Sequence, residues 1–327
     1  MKKTSAALAA TLTCALGFSV LQSGTAEAVT LKKVSLNKTA TSIGTLAAKS
    51  CDAGLTAYTV LQGMTSGGGY FYAIFNNPKK DAGGASDAVG ATVLTKWHFD
   101  ADTGKPICDA HMENLPLGHG NDIAYHPDFA NAGPTLLIPK GKESVGNSGI
   151  ALVNADTLAA LGSTNIKKHT LSGLCYSSQP AGTAYRYVLR RGKNMYVYKE
   201  DLSTHTPLLK SEKKLRALSL PAGTADQGLD CSKDNIYSVR SISGHSNTVN
   251  YITQYTWAGT YKKSLTYKSK ATLETCVKPC PKKASKRKYE KNSASEEVEG
   301  VFHIDGQYYM GINHNSGGDD LLFAIKW

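Results

Sequence analysis

Tyr70-Phe71-Tyr72-Ala73-Ile74, reached from Gly54-Leu55-Thr56-Ala57-Tyr58 through the glycines Gly67–Gly69, is the stretch on which the fold turns. Short runs rich in aromatic and branched residues, bounded by glycine, have the composition of strands joined by tight turns. The same arrangement recurs four times. Gly120-Asn121-Asp122-Ile123-Ala124-Tyr125 leads to Thr135-Leu136-Leu137-Ile138, and Gly182-Thr183-Ala184-Tyr185-Arg186-Tyr187-Val188 to Met195-Tyr196-Val197-Tyr198. Gln227-Gly228-Leu229-Asp230-Cys231 leads to Asn235-Ile236-Tyr237-Ser238-Val239, and Glu299-Gly300-Val301-Phe302-His303-Ile304 to Tyr308-Tyr309-Met310-Gly311-Ile312. Further strand pairs follow several of these hairpins, as at Ile150–Val153 and Tyr251–Trp257. Four strands per unit, with units opening at Gly54, Gly120, Gly182, Gly228 and Gly300, predict an all-β, five-bladed β-propeller. A β-sandwich or stacked barrels are the competing all-β folds. Only the segment near Ala155–Leu161 reads as helical in the body of the chain.

Of the 327 residues 41% are hydrophobic and 19% charged, which excludes wholesale disorder. Lys2 and Lys3 precede an apolar stretch from Ala6 to Leu21, and Ala26-Glu27-Ala28 supplies a small-x-small cleavage pattern. Residues 1–28 therefore read as a signal peptide cut near Ala28, and residues 29–327 as one secreted propeller domain. That stretch is too short and too rich in Ala and Thr to span a bilayer, and no later stretch is apolar enough. Beyond Cys14 there are six cysteines, Cys51, Cys108, Cys175, Cys231, Cys276 and Cys280, an even set that predicts up to three disulfides of open connectivity.

Each repeat opens beside polar residues: Asp52, His119, Asn121, Asp122, Gln179, Asp226, Gln227, Glu297 and Glu299. In a propeller, equivalent points on the inner strands converge on the axis, so these nine are the expected ligand ring. It suits a sugar, a cation or a polar headgroup, and a pair such as Asp122 and Glu299 suits acid/base chemistry. No Gly-x-Ser-x-Gly elbow, His-Glu-x-x-His helix or phosphate loop is present, so the sequence assigns no metal, no cofactor and no catalytic nucleophile. His98, His111, His126, His169, His205, His245, His303 and His314 are scattered and read as surface or strand residues.

Charge is concentrated in one place. The chain carries a net +11, of which residues 262–291 hold +9, so the rest of the propeller is close to neutral. This stretch lies between the fourth and fifth repeats and reads as an inserted basic loop. Its Lys278, Lys282, Lys283, Lys286, Arg287, Lys288 and Lys291 are the expected contacts to an anionic envelope polymer. Aromatic residues within it are sparse (Tyr267, Tyr289), which argues against nucleic acid.

Several fragments carry a family resemblance. Glu297-Val298-Glu299-Gly300 through His303-Ile304 and Gly306, the Tyr-rich strand, His314 and the closing Ile325-Lys326-Trp327 are similar to the C-terminal end of helveticin-type large bacteriocins. Gln227-Gly228-Leu229-Asp230 with Asn235-Ile236-Tyr237 resembles a Gln-Gly and Asn-Ile-Tyr pair of that family, and His119 to Pro127 resembles its His-led repeat. The cleavable signal, the six cysteines and the insert at 262–291 depart from it. The resemblance implies an antibacterial protein acting at the envelope of Gram-positive cells, with no catalytic residues to transfer. The main expectation built on it is a secreted monomer that binds a wall glycan or anionic envelope polymer, with enzymatic activity left open. A secreted propeller hydrolase, glycosidase or lactonase-like, using Asp122, Glu297 or Glu299, is the alternative expectation. A non-catalytic glycan-binding surface module is the third.

Overall fold

The computed structural model describes residues 33–35, 40–80, 90–140, 148–166, 171–192, 194–215, 224–242, 249–268, 296–314 and 320–327. The signal segment, Cys276, Cys280 and the seven basic residues from Lys278 to Lys291 lie outside them. The described residues form five antiparallel sheets and no α-helix. Blade 1 holds β3 (Val60–Gly67), β4 (Tyr70–Asn76), β5 (Thr92–Phe99) and β6 (Pro106–Glu113). Blade 2 holds β7 (Ala124–His126), β8 (Thr135–Pro139), β9 (Ser148–Asn154) and β10 (Ala160–Ile166), so Ala155–Leu161 is a turn leading into a strand and not a helix. Asn154 makes the difference, because its Oδ1 accepts from the backbone N–H groups of Asp156 and Thr157 and so closes a local turn.

Blade 3 is β11 (Gly173–Tyr176), β12 (Tyr185–Arg191), β13 (Asn194–Asp201) and β14 (Thr206–Lys214), and blade 4 is β15 (Thr224–Cys231), β16 (Asn235–Ile242), β17 (Val249–Thr256) and β18 (Tyr261–Lys268). Blade 5 is β19 (Glu296–Ile304), β20 (Gln307–His314), β21 (Asp320–Ile325) and, from the other end of the chain, β2 (Thr41–Leu46). β1 (Lys33–Ser35) lies parallel to β18 on the outer edge of blade 4. The inner strands pack in sequence order, β3 on β7, β7 on β11, β11 on β15, β15 on β19, and β19 back on β3. The ring is a five-bladed propeller closed by an N-terminal strand.

Both faces of each blade are covered, which explains the nearly continuous apolar runs of the middle strands. On β4, Phe71, Ala73 and Phe75 pack toward blade 5 with Trp97 and Phe302, while Tyr72 and Ile74 pack toward blade 2 with Leu136 and Ile138. Each of the other three blade interfaces holds its own apolar cluster, centred on Tyr187 and Leu189, on Val188 and Ile236, and on Val239 and Phe323. Two disulfides cross such interfaces. Cys51–Cys108 ties the segment following β2 to β6, across the closing seam, and Cys175–Cys231 ties β11 to β15.

Three of the five repeat starts are out of register, Gly120 by only two residues and the other two by more. Gly54 lies in a 3-10 turn before blade 1, and Gly182 precedes β12, the second strand of blade 3. The equivalent inner-strand positions are Gly63, Asp122, Gly173, Gly228 and Gly300. Around them the chain reads Gln62-Gly63-Met64, Asn121-Asp122-Ile123, Ser172-Gly173-Leu174, Gln227-Gly228-Leu229 and Glu299-Gly300-Val301. In blades 1, 4 and 5 this position falls at a bulge. Bulges turn the inner strand toward the axis, and glycine permits backbones to touch there.

Candidate functional site at the two ends of the propeller axis

At the glycine level the inner strands crowd together. A Cβ at Gly63 would lie 2.7 Å from the carbonyl oxygen of Gly120, one at Gly228 2.9 Å from that of Glu299, and one at Gly300 2.9 Å from Met64 Cβ. Asp122, the one non-glycine residue at this level, fills the space that remains. Its Oδ1 accepts the N–H of Ile123 (3.0 Å), and its Oδ2 accepts those of Leu174 (2.8 Å) and Leu229 (2.9 Å), so one carboxyl joins blades 2, 3 and 4. Burial pushes that carboxyl well above the usual range, opposed by these donors and by the Arg190 guanidinium. Asp122 thus pins three inner strands together through one buried carboxyl. The inner-strand ends on either side of this level form two separate groups of residues, the first and the second mouth.

The first mouth lies where the inner strands begin. Asp226 on β15 sits 2.9 Å from Arg240 Nε and 3.7 Å from Arg190 Nε. Arg190 is fully buried, with Nη2 donating to Gly228 O (3.0 Å) and Ser238 Oγ (2.7 Å). Gln227, with its amide nitrogen facing the acceptors, donates to Glu299 Oε2 and to Asp226 O (both 3.2 Å) and accepts from Ser241 Oγ (2.8 Å). Glu299 is 2% exposed, and its Oε1 accepts from Asn313 Nδ2 (3.4 Å). Desolvation, with the charges of Glu297 and Asp320 added, holds its carboxyl well above the usual carboxylate range. Asn76 reaches from β4 to donate to His119 O (3.0 Å), beside the segment carrying Asn121.

Six of the nine expected ring residues thus sit with Asp122 at or above the glycine level: His119, Asn121, Asp226, Gln227, Glu297 and Glu299. Asp52 and Gln179 do not join them. Asp52 caps the exposed 3-10 turn at Ala53–Leu55, its Oδ1 accepting from Gly54 N at 2.7 Å. Gln179 follows β11 and lines the opposite end. Both displacements follow from the misaligned repeats 1 and 3.

The second mouth lies where the inner strands end, and it is a cavity of about 490 Å3. Each inner strand contributes to its wall: Ser66 from β3, Tyr125 from β7, Tyr176 from β11, Cys231 from β15 and His303 from β19. His303 Nδ1 lies 2.8 Å from Asp230 Oδ2, and this carboxylate raises the imidazole above its ordinary range. Tyr176 stacks on His126 with ring centroids 4.1 Å apart. Of the nine expected ring residues Gln179 lies at this mouth; the others that line it were missed because they come from strand ends and following turns of unlike sequence. Alternation along β19, with His303 four residues beyond Glu299, was the available signal.

Behind Tyr176 lies a buried hub on Glu200, 3% exposed at its side chain. Oε1 lies 2.7 Å from His126 Nε2, 3.5 Å from His205 Nδ1 and 3.2 Å from the Tyr187 hydroxyl, and Oε2 lies 3.4 Å from Arg186 Nε. His126, Glu200 and His205 have the residue types of a metal set. The hydrogen bonding opposes that role. His126 Nδ1 accepts the N–H of Asp128 (3.1 Å), so its proton resides on Nε2 and points at Glu200. Burial keeps this imidazole below its ordinary pKa, in keeping with a neutral ring.

No protein-family model and no curated protein matches the chain. Among solved structures, similar folds include a bifunctional GH43-CE protein of Bacteroides eggerthii (10% identity, TM-score 0.48, 83% of this chain and 34% of that one). A hypothetical protein from Leishmania major aligns at 12% identity and TM-score 0.45, covering 88% and 91% of the two chains. A glycosyl hydrolase from Bacteroides ovatus aligns at 9% identity and TM-score 0.45, covering 82% and 84%. The chain thus spans about a third of the first of these and most of the other two. Likenesses this distant carry no argument about activity, which rests on the residues. Among the described residues, no helix is long and apolar enough to cross a membrane.

Proposed function

We propose that the first mouth hydrolyses a glycosidic bond, with Glu299 as proton donor and Glu297 as the partner carboxylate. The observation that carries this reading is the unequal environment of two glutamates on one inner strand. Glu299 is desolvated, which raises its carboxyl well above the usual range, while Glu297 is only partly buried and acts on it through its charge. Two carboxyls whose surroundings drive their ionisation apart are what acid/base hydrolysis requires. Glu299 delivers its proton to the glycosidic oxygen as the C–O bond breaks. Glu297 takes the proton of the water that supplies the new hydroxyl. Gln227 orients Glu299, and Asp226 beside it is paired with Arg190 and Arg240.

The test is release of reducing ends from a panel of neutral polysaccharides and wall glycans. Glu299→Gln and Glu297→Gln are expected to lower turnover about 10²–10⁴-fold while leaving polymer binding intact. Binding without release by the unaltered protein would leave the non-catalytic glycan module in its place. The antibacterial reading rests on the short helveticin-like motifs, and no described contact supports it. Growth inhibition of Gram-positive cells, at low and high salt, tests it separately together with the basic segment.

A further inference from the structure

The second mouth is distinct in construction from the first, and the level of glycine backbone and Asp122 lies between them. Its lining is unusual in being neither apolar nor charged overall. Tyr125 and Tyr176 supply ring surface, and Ser66, Ser178 and Gln179 supply groups able both to donate and to accept. The formal charges cancel, since Lys233 is opposed by Asp305 on the rim and His303 by Asp230 beneath it. The walls are also fixed before any ligand arrives. Ser66 Oγ donates to His303 O (2.5 Å) between blades 1 and 5, and Ala181 N donates to Lys233 O (2.7 Å) between blades 3 and 4. The Cys175–Cys231 disulfide ties the same two blades at the floor. Tyr125 cannot retreat inward, because it lies flat against Gly67, where even a Cβ would fall 2.1 Å from its ring. Tyr176 is backed by the His126 ring.

From this construction we infer that the second mouth is a saccharide-binding site for a neutral pyranose unit, independent of the chemistry at the first mouth. Ambivalent hydrogen-bonding groups match sugar hydroxyls, which also donate and accept. Tyrosine faces match the C–H face of the ring, and cancelled charge selects against uronate, amino sugar or phosphate. The cavity of about 490 Å3 holds a mono- or disaccharide with water. Rigid walls reduce the ordering cost that a loop-built site would meet. A glycan-active enzyme with such a site holds its polymer at a second point, and the effective concentration of chain at the catalytic mouth rises accordingly.

Calorimetric titration with the methyl pyranosides of glucose, galactose, mannose and xylose tests the site, with glucuronate, glucosamine and inorganic phosphate as charged probes. At least one neutral pyranoside is expected to bind with a dissociation constant of about 1–10 mM. Gln179→Ala and Ser178→Trp, both at exposed positions, are expected to weaken it at least about tenfold, and Glu299→Gln to leave it unchanged. Absence of saturable binding by every neutral pyranoside, preference for a charged probe, or indifference to both mouth variants would overturn the inference. Hydrolysis that persists in Ser178→Trp while pyranoside binding is lost separates the two mouths. Loss of hydrolysis in Glu299→Gln with pyranoside binding retained isolates failure at the first.

Discussion

Asp122 Oδ2 accepts the backbone N–H of Leu229 at 2.9 Å, joining residues 107 apart in sequence and two blades apart in the ring. The same oxygen accepts from Leu174 and the other from Ile123. In this chain the centre of the propeller is a carboxyl surrounded by amide donors, where the other blades offer only glycine.

Replacing Asp122 strands those donors away from water. Each buried N–H left without a partner costs about 1–3 kcal/mol, so Asp122→Ala is expected to lower unfolding free energy by about 3–5 kcal/mol. Asp122→Asn keeps the shape but puts an amide N–H₂ where one acceptor was, and is expected to cost about 2 kcal/mol. Urea unfolding measures both. A stability unchanged in either variant would show that Asp122 is not the pin.

Gly228 has no room for a methyl group, since its Cβ would stand 2.9 Å from Glu299 O and the obstruction is backbone. Gly228→Ala is expected to destabilise by about 2–3 kcal/mol through overpacking. Gly192, in the turn between β12 and β13, meets nothing within 4 Å but has a φ of +53°. Alanine there costs only the strain of the left-handed backbone, about 1 kcal/mol. The difference between the two variants, read from denaturant midpoints, isolates the crowding at the axis.

How much of this was legible in the sequence depends on the signal each feature leaves. Strand composition and glycine spacing were enough for five blades, because middle strands such as β4, β8 and β16 are buried on both faces and carry dense apolar runs. Register was harder. Gly54 and Gly182 looked like repeat starts because turns and axial bulges both demand glycine, and composition does not tell them apart. The residue before the axial position reads Gln62, Asn121, Ser172, Gln227 and Glu299. Aligned on it, the first three intervals between axial positions fall between 51 and 59 residues, more even than those from the turn glycines. Closure by β2 left no trace, since a six-residue edge strand from the other terminus has no periodicity of its own. The Glu200 hub escaped notice because Arg186, Glu200 and His205 meet only when β12, β13 and the turn after it come together, and His126 joins them only once blade 2 lies beside blade 3.

The seam between blades 5 and 1 is held by β2 and by the Cys51–Cys108 disulfide just beyond it, which closes a loop of 57 residues. On chain entropy alone such a crosslink contributes about 4 kcal/mol. Cys51→Ser with Cys108→Ser is expected to lose about 3–4 kcal/mol. The loss should begin at the seam, with amide exchange accelerated first in β2 and β21 and later in blade 3. Uniform acceleration across all five blades would show that the crosslink does not guard the closing strand.

Glu299 gives the prediction that links stability to chemistry. Burial raises its folded-state pKa above that of the unfolded chain, so folding favours the protonated form. Its contribution is therefore fully present below the unfolded pKa and is lost as pH rises through the folded value. Glu299→Gln is a neutral mimic of the protonated acid and has no proton to lose. The variant is expected to match the unaltered protein near pH 4 and to exceed it in stability on the alkaline side, with the gap opening as pH rises. Glycan hydrolysis should move the other way, failing in Glu299→Gln at every pH and falling in the unaltered protein on the same alkaline limb. Thermal unfolding and reducing-end release, measured across one pH series, read both curves. If the stability gap opens but hydrolysis does not follow it, the buried carboxyl is a structural burden unrelated to the reaction. If neither changes with pH, Glu299 is not held protonated, and the acid assigned to the first mouth is wrong.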